Sequence, residues 1–313
     1  MPEKLSPLED NKQKPREHGI SKIIGVPSEV VAPILESMKK PFDLPEREKT
    51  KEETEIIEGI LHKMPVFIRK YGGIPVNINP EQIHFVDNEE VKKVLRKEKE
   101  SEIADGFYSY NHQYLVVFDQ GDDLQNAQVI SHEMFHFNSY QSMEPKEKVE
   151  GVTKIGIRRA GLELSVKKDY FFTDIDEAVI EELAIRFERE YFQLIPYLSL
   201  KIKERKKFIE KLNDDLKKQS KDIASVRAMK ERSLDGDLQV IVDFYQRKEE
   251  REKLRELIRD IYEKNKDEKI EVNGKKMNRF QSVEYVFDVF AKAVVSGKLL
   301  ELARLVEKTG FVE

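Results

Sequence analysis

Residues 130–137 read Ile-Ser-His-Glu-Met-Phe-His-Phe, and they contain two histidines four apart with a glutamate after the first: His132-Glu133-x-x-His136. On an α-helix, residues four apart lie about 40° from each other around the axis, so both imidazoles can face one metal ion. Glu133 then sits beside them, placed to act on a water molecule rather than to bind the metal. This is the HExxH pattern of zinc hydrolases. Its context strengthens it, because Val129, Ile130, Met134, Phe135 and Phe137 are apolar and imply a helix packed on its flanks. Burying two histidines and a glutamate is costly unless they share a ligand. The bland alternative is a helix that carries these residues by accident, or core histidines bonded to backbone carbonyls.

A catalytic zinc takes three protein ligands and keeps one position for water, so a third ligand must come from elsewhere. The chain has no cysteine, which excludes thiolate ligands, structural cysteine-zinc clusters, thiol catalysis and disulfides together. The metzincin pattern fails as well, since Ser139 and Ser142 stand where its glycine and third histidine belong. The other histidines, His18, His62, His84 and His112, lie upstream without helical spacing to the motif. A carboxylate is the better donor. The run Thr173-Asp-Ile-Asp-Glu-Ala-Val-Ile-Glu-Glu-Leu-Ala184 begins like a helix, with Thr173 or Asp174 as cap and acids in its first turn. Glu177 and Glu181 share a face of it, which suits one as ligand and the other as acceptor for an imidazole N–H.

At this point the chain resembles the gluzincin group of metallopeptidases, over roughly residues 80 to 192. In that group the second helix carries a glutamate ligand in an Asn/Asp-Glu-Ala type run, followed four residues later by another acid. The resemblance therefore implies Zn2+ on His132, His136 and Glu177, with Glu181 behind an imidazole. It implies Glu133 as general base and then acid in the hydrolysis of a peptide or protein substrate. The forty residues between His136 and Glu177 exceed the interval of thermolysin-like members. Longer intervals occur in the lethal-factor-like members, where a tyrosine seven residues before the ligand glutamate assists catalysis. Tyr170 holds that position here. The competing reading of Tyr170 is a packed core aromatic.

The elements that must position these groups can be read from periodicity. Residues 1–50 hold seven of the twelve prolines and suggest an extended arm, with a short helix near Ser28–Lys39. The arm is loosely ordered or lies over the cleft. A lead-in helix follows over 51–73, kinked or divided by Pro65 and ended by Gly72-Gly73. The expected catalytic domain, 74–196, orders strand Ile83–Asp87, helix Asn88–Lys97, a hairpin from Gly106–Tyr110 and Tyr114–Asp119, and the motif helix capped by Asp122 or Asp123. By resemblance, Tyr114–Phe118 would be the edge strand that pairs with substrate backbone. Val152–Val166 reads as a hairpin broken by Gly156 and Gly161. A helical subdomain, 197–313, completes an α+β fold: a small mixed sheet with an active-site helix, then helices over Leu200–Gln219, Leu238–Asn265 and Ser282–Thr309.

Composition sets the remaining bounds. At 313 residues the chain can bury a sizeable core in one or two domains. Charged residues make up 37 % and the net charge is −5, so the chain is a nearly balanced polyampholyte and nothing points to bulk nucleic-acid binding. A local basic surplus, eleven Lys and Arg against five Asp and Glu between Lys201 and Lys230, suits either a solvated helix face or an anionic partner. No apolar run is long enough to span a membrane, and the N-terminus lacks the order of a secretory signal, so a cytoplasmic protein is expected. The oligomeric state is open. The functional alternative to a peptidase is an inactive zincin-like scaffold that binds a partner through the C-terminal helices.

Overall fold

The computed structural model describes residues 14–26, 33–36, 45–87, 105–110, 112–149, 152–166, 169–209, 227–232, 238–243, 247–267, 269–272, 275–278 and 282–307. Among these, the architecture is α+β: two sheets of five and three strands, two two-stranded hairpins, a helix that carries the histidine motif, and a largely helical C-terminal region. The expected helix Asn88–Lys97 and the part of Leu200–Gln219 beyond residue 209 lie outside the described residues.

Helix α1 (Lys51–Lys70) opens on a reciprocal cap between Thr50 and Glu53 and buries Ile56, Ile57, Ile60, Met64, Phe67 and Ile68 along one side. It runs through Pro65 without dividing. Its end comes where expected: Gly72 adopts φ +73°, and the Gly72 and Gly73 N–H groups close on Arg69 and Ile68 carbonyls.

The smaller sheet has the order β2 (Ile83–Val86), β4 (Tyr114–Phe118), β3 (Gly106–Ser109). β2 runs parallel to β4 and β3 antiparallel to it. Tyr114–Phe118 is therefore the central strand and not the edge. The physical reason is its apolar run, Leu115, Val116, Val117 and Phe118, all buried, which suits a strand flanked on both sides. The edges are β2 and β3. Helix α2 (Asp123–Asn138) follows, with the Asp122 carboxylate accepting from Gln125 N at 3.0 Å, a cap of about 1 kcal/mol.

The segment after α2 is larger than a hairpin. A five-stranded sheet, order β1-β5-β6-β7-β8, comprises β1 (Lys22–Ile23), β5 (Gln141–Val149), β6 (Val152–Ala160), β7 (Glu163–Val166) and β8 (Asp169–Phe171). Gly156 does not break it but pairs with Glu144 inside β6, whereas Gly161 makes the β6–β7 turn at φ +55°. β1 brings in the N-terminal arm, whose described part is built into the fold. Ile20 and Ile23 are buried, and the Arg16 guanidinium donates to the carbonyls of Ile74, Gly19 and Asn138 at 3.0, 2.7 and 2.9 Å. Of the expected helix Ser28–Lys39, residues 33–36 are described and helical.

The C-terminal region contains α3 (Thr173–Tyr191), α4 (Pro196–Ile209), α5 (Lys248–Asn265), α6 (Val283–Ser296) and α7 (Leu300–Glu307). Two expected helices are corrected. Leu238–Asp243 is a strand, β10, paired with β9 (Arg227–Arg232), because Val240-Ile241-Val242 is a β-branched run that favours a strand over the start of a helix. Ser282–Thr309 is divided at Gly297, which takes φ +76° and ends α6. A second hairpin, β11 (Lys269–Val272) with β12 (Lys275–Asn278), adds strand to a region expected to be helical. One apolar cluster joins α1, α2, α3, α5 and α6 to the smaller sheet. At its centre, Phe67 meets Phe135 of α2 and Phe187 of α3 edge-on, each at 5.5 Å. No helix among the described residues is long and apolar enough to cross a membrane.

Candidate metal centre

Helix α2 turns its apolar residues into the core and His132 and His136 toward α3. The two imidazoles stand with ring centroids 4.9 Å apart and their Nε2 atoms 3.2 Å apart. Glu177 of α3 closes the group: one of its oxygens lies 3.4 Å from His132 Nε2 and the other 3.4 Å from His136 Nε2. Ala178, fully buried next to it, presents no bulk to hold the two helices apart. Among the described residues this is the one group of three or more His, Asp or Glu side chains able to hold a metal, with donor atoms within 4.8 Å of one another. The triad clusters as expected for an HExxH-plus-glutamate zinc site.

The spacing permits a direct test of fit. Ligand bonds of about 2.0–2.1 Å in a tetrahedron separate the donor atoms by about 3.3–3.4 Å. The two Nε2 atoms stand 3.2 Å apart, close to that separation, and each faces a different oxygen of Glu177 at 3.4 Å, Oε2 for His132 and Oε1 for His136. Glu177 Oε2 is in addition buried without a hydrogen bond, its polar neighbours being His132 Nε2 at 3.4 Å and Arg247 Nη2 at 3.1 Å. Two imidazoles, one carboxylate and no cysteine form a donor set that suits zinc.

The supporting groups fall into place around this triad. Glu181 Oε2 lies 2.8 Å from His132 Nδ1, so it fixes the tautomer that presents Nε2 inward. Glu133 is buried to 8 % exposure. Asp176 accepts from Leu162 N at 2.6 Å and ties α3 to the Gly161 turn, where a Cβ would meet Asp176 Oδ1 at 2.1 Å. Helix α3 is not capped by Thr173 or Asp174 as expected. Phe172 takes the cap position in the left-handed region, and the Thr173 hydroxyl donates instead to Glu163 Oε2 at 3.0 Å.

The electrostatics are those of a closely coupled acid–imidazole cluster. Burial opposes the charge on His132, but the neighbouring Glu177 and Glu181 carboxylates outweigh it and hold the imidazole well above its ordinary pKa. His136 is raised in the same way, burial being overcome by Glu177. Burial alone would raise Glu177, yet the two imidazoles hold it far below the usual carboxylate range. Glu133 moves upward because burial exceeds the opposing pull of His132 and His136. Burial also pushes Asp176 up to about 7.

A consequence for metal uptake follows with a definite sign. Zinc needs both imidazoles unprotonated, whereas the metal-free cluster favours their protonated forms, so binding releases protons and strengthens as pH rises through the raised pKa values of the two histidines. Zinc titration calorimetry in two buffers of different ionisation enthalpy measures that release. Binding with no proton release at or below neutral pH would contradict the assignment of the two histidines.

The remaining sequence-derived residues lie elsewhere. Tyr170 is on β8, paired with Ser165, and is 64 % exposed, so it is not a core aromatic, and none of the contacts that assemble the triad involves it. His84 lies 2.9 Å from Glu46, His112 Nδ1 is 2.9 Å from Ser109 Oγ, and His18 Nδ1 is 2.9 Å from the Ile20 carbonyl. Two cations of the basic stretch have internal uses: Lys201 pairs with Asp123 at 3.1 Å and Arg205 with Asp122 at 2.7 Å, at the start of α2. Sequence reasoning missed Arg247, whose Nη2 lies 3.1 Å from Glu177 Oε2, at an angle that makes an ion pair without a hydrogen bond. It stands seventy residues downstream in a stretch read as helix, and no spacing singles it out.

Comparison with protein-family models, with curated proteins and with solved structures finds no match to this chain.

Proposed function

We propose that the protein is a zinc-dependent peptidase in which His132, His136 and Glu177 hold the metal and Glu133 moves the proton. The observation that carries this reading is the convergence of two Nε2 atoms 3.2 Å apart with the Glu177 carboxylate 3.4 Å from each, beside the buried Glu133 carboxylate one residue from the first histidine. A zinc ion held there would supply a water of lowered pKa and polarise the scissile carbonyl. Glu133 takes a proton from the attacking water, the water oxygen bonds to the carbonyl carbon, and the π electron pair moves to the carbonyl oxygen. The C–N bond then breaks and Glu133 delivers the proton to the leaving amine. The upward shift of Glu133 brings its pKa nearer the working range for both transfers.

β3 gives the substrate a place to lie. It is an edge strand of its sheet, the one next to the base: a Cβ on Gly106 would stand 3.6 Å from Glu133 Cγ, so an extended chain added along that edge passes beside Glu133. Tyr170 is carried in this reading as a donor to the oxygen that gains charge. Its exposure leaves the phenol open to a substrate, so Tyr170→Phe should lower the rate by about 10²–10³ with an unchanged melting temperature. An unchanged single-turnover rate would end that role.

The proposal is tested with a mixed peptide library, incubated with the protein before and after chelation. Cleavage that stops with chelator and returns with zinc is the expected result. A zinc-loaded protein that cleaves nothing in the library would favour the scaffold alternative.

A further inference from the structure

Arg247 joins the metal centre from the far end of the sequence. It directly precedes α5, a helix packed against α3 and α6 in the main core, and its backbone lies in the left-handed region at φ 61°, ψ 36°. A non-glycine residue held there is strained, and such strain persists where the surroundings impose it, often at functional sites. The guanidinium that this backbone aims lies 3.1 Å from the ligand oxygen Glu177 Oε2 and remains 38 % exposed. Two arginines of α5, Arg251 and Arg255, reach Glu182 of α3 at 3.1 and 3.6 Å, so α5 is already tied to α3 without Arg247.

The charges around the cluster show what Arg247 adds. Glu133, Glu177 and Glu181 bring three negative charges to the two imidazoles, while Glu182 is met by its own arginines and Asp176 accepts from the Leu162 backbone. Three carboxylates exceed a divalent ion by one negative charge, and Arg247 cancels it. Without it, the negative charge that develops on the carbonyl oxygen during hydrolysis would form in a site already negative.

We propose that Arg247 is a catalytic residue: a fixed cation beside Glu177 that meets the oxygen of the scissile carbonyl as it becomes an anion. The role rests on the peptidase reading. It distinguishes Arg247 from the metal ligands, because a cation beside the site opposes zinc binding, whereas a ligand promotes it.

The test compares wild type, Arg247→Asn and Arg247→Lys. Asparagine tolerates the left-handed backbone better than arginine, so Arg247→Asn removes the charge without adding strain. Zinc affinity is read by competition with a chromophoric chelator, hydrolysis by kcat and KM on a peptide that the wild type cleaves, and folding by melting temperature. Arg247→Asn should bind zinc at least about 3-fold more tightly and lose about 10²-fold in kcat, with little change in KM and no loss in melting temperature. Arg247→Lys, which keeps a cation, should bind zinc as the wild type does and retain more of the rate. Zinc binding unchanged or weakened in Arg247→Asn overturns the proposal, and so does a wild-type kcat. A rate loss matched by a lower melting temperature marks Arg247 as a structural strut and overturns it too. A wild type that binds zinc but cleaves no peptide removes the peptidase reading itself, whereas normal cleavage with an indifferent Arg247→Asn removes only Arg247.

Discussion

Glu133→Gln should retain its full complement of zinc and lose hydrolysis by about 10²–10⁴-fold, the range for a positioned proton-transfer group. The substitution changes one oxygen for an amide and keeps the volume, so the buried position between Val129 and the histidines stays filled. It leaves the triad's donor atoms untouched, because those belong to His132, His136 and Glu177. Glutamine can neither take the proton from the attacking water nor return it to the amine, so both halves of the reaction suffer. The comparison requires zinc content and kcat on the same preparation. Activity near wild type with normal zinc would mean that another base works at this site or that the mechanism is different.

Glu177→Ala should weaken zinc binding more than Glu181→Ala does. The geometry separates their roles: Glu177 faces both Nε2 atoms at 3.4 Å, while Glu181 reaches only the back of His132 at 2.8 Å from Nδ1. Loss of a partner behind a ligand imidazole typically costs about 10-fold to 100-fold in affinity. Loss of the ligand itself should exceed that, and here it also leaves Arg247 facing the metal with no intervening carboxylate. Competitive chelation of the two variants ranks them. The reverse order would transfer the ligand role to Glu181.

His132, Glu133 and His136 were legible because helical spacing alone puts the two imidazoles on one face and the apolar neighbours make that face costly without a metal. Glu177 and Glu181 followed from a second helix with acids at the same spacing, and the structure gives each a different imidazole atom. The α+β class and the elements nearest the motif could be read for the same reason, since local periodicity governs them. What escaped depends on long-range pairing. Strand order made β4 central, with β2 and β3 at the edges, and nothing local to Tyr114–Phe118 reports which strands flank it. The N-terminal arm looked like a tail because proline content says nothing of β1 pairing with β5 or of Arg16 reaching Asn138. Val240-Ile241-Val242 satisfied both a helix and a strand pattern, and pairing with β9 decided between them. Arg247 is the extreme case, since only the packing of α5 on α3 brings it to Glu177.

The central claim, that two helices assemble one zinc site, is tested most directly by the metal content of the purified protein after zinc reconstitution at neutral pH and removal of excess metal, measured alongside a His132→Ala/His136→Ala double variant. The account predicts one tightly held zinc per chain in the wild type and none in the double variant. A wild type that holds no zinc, or a double variant that keeps it, would contradict the account.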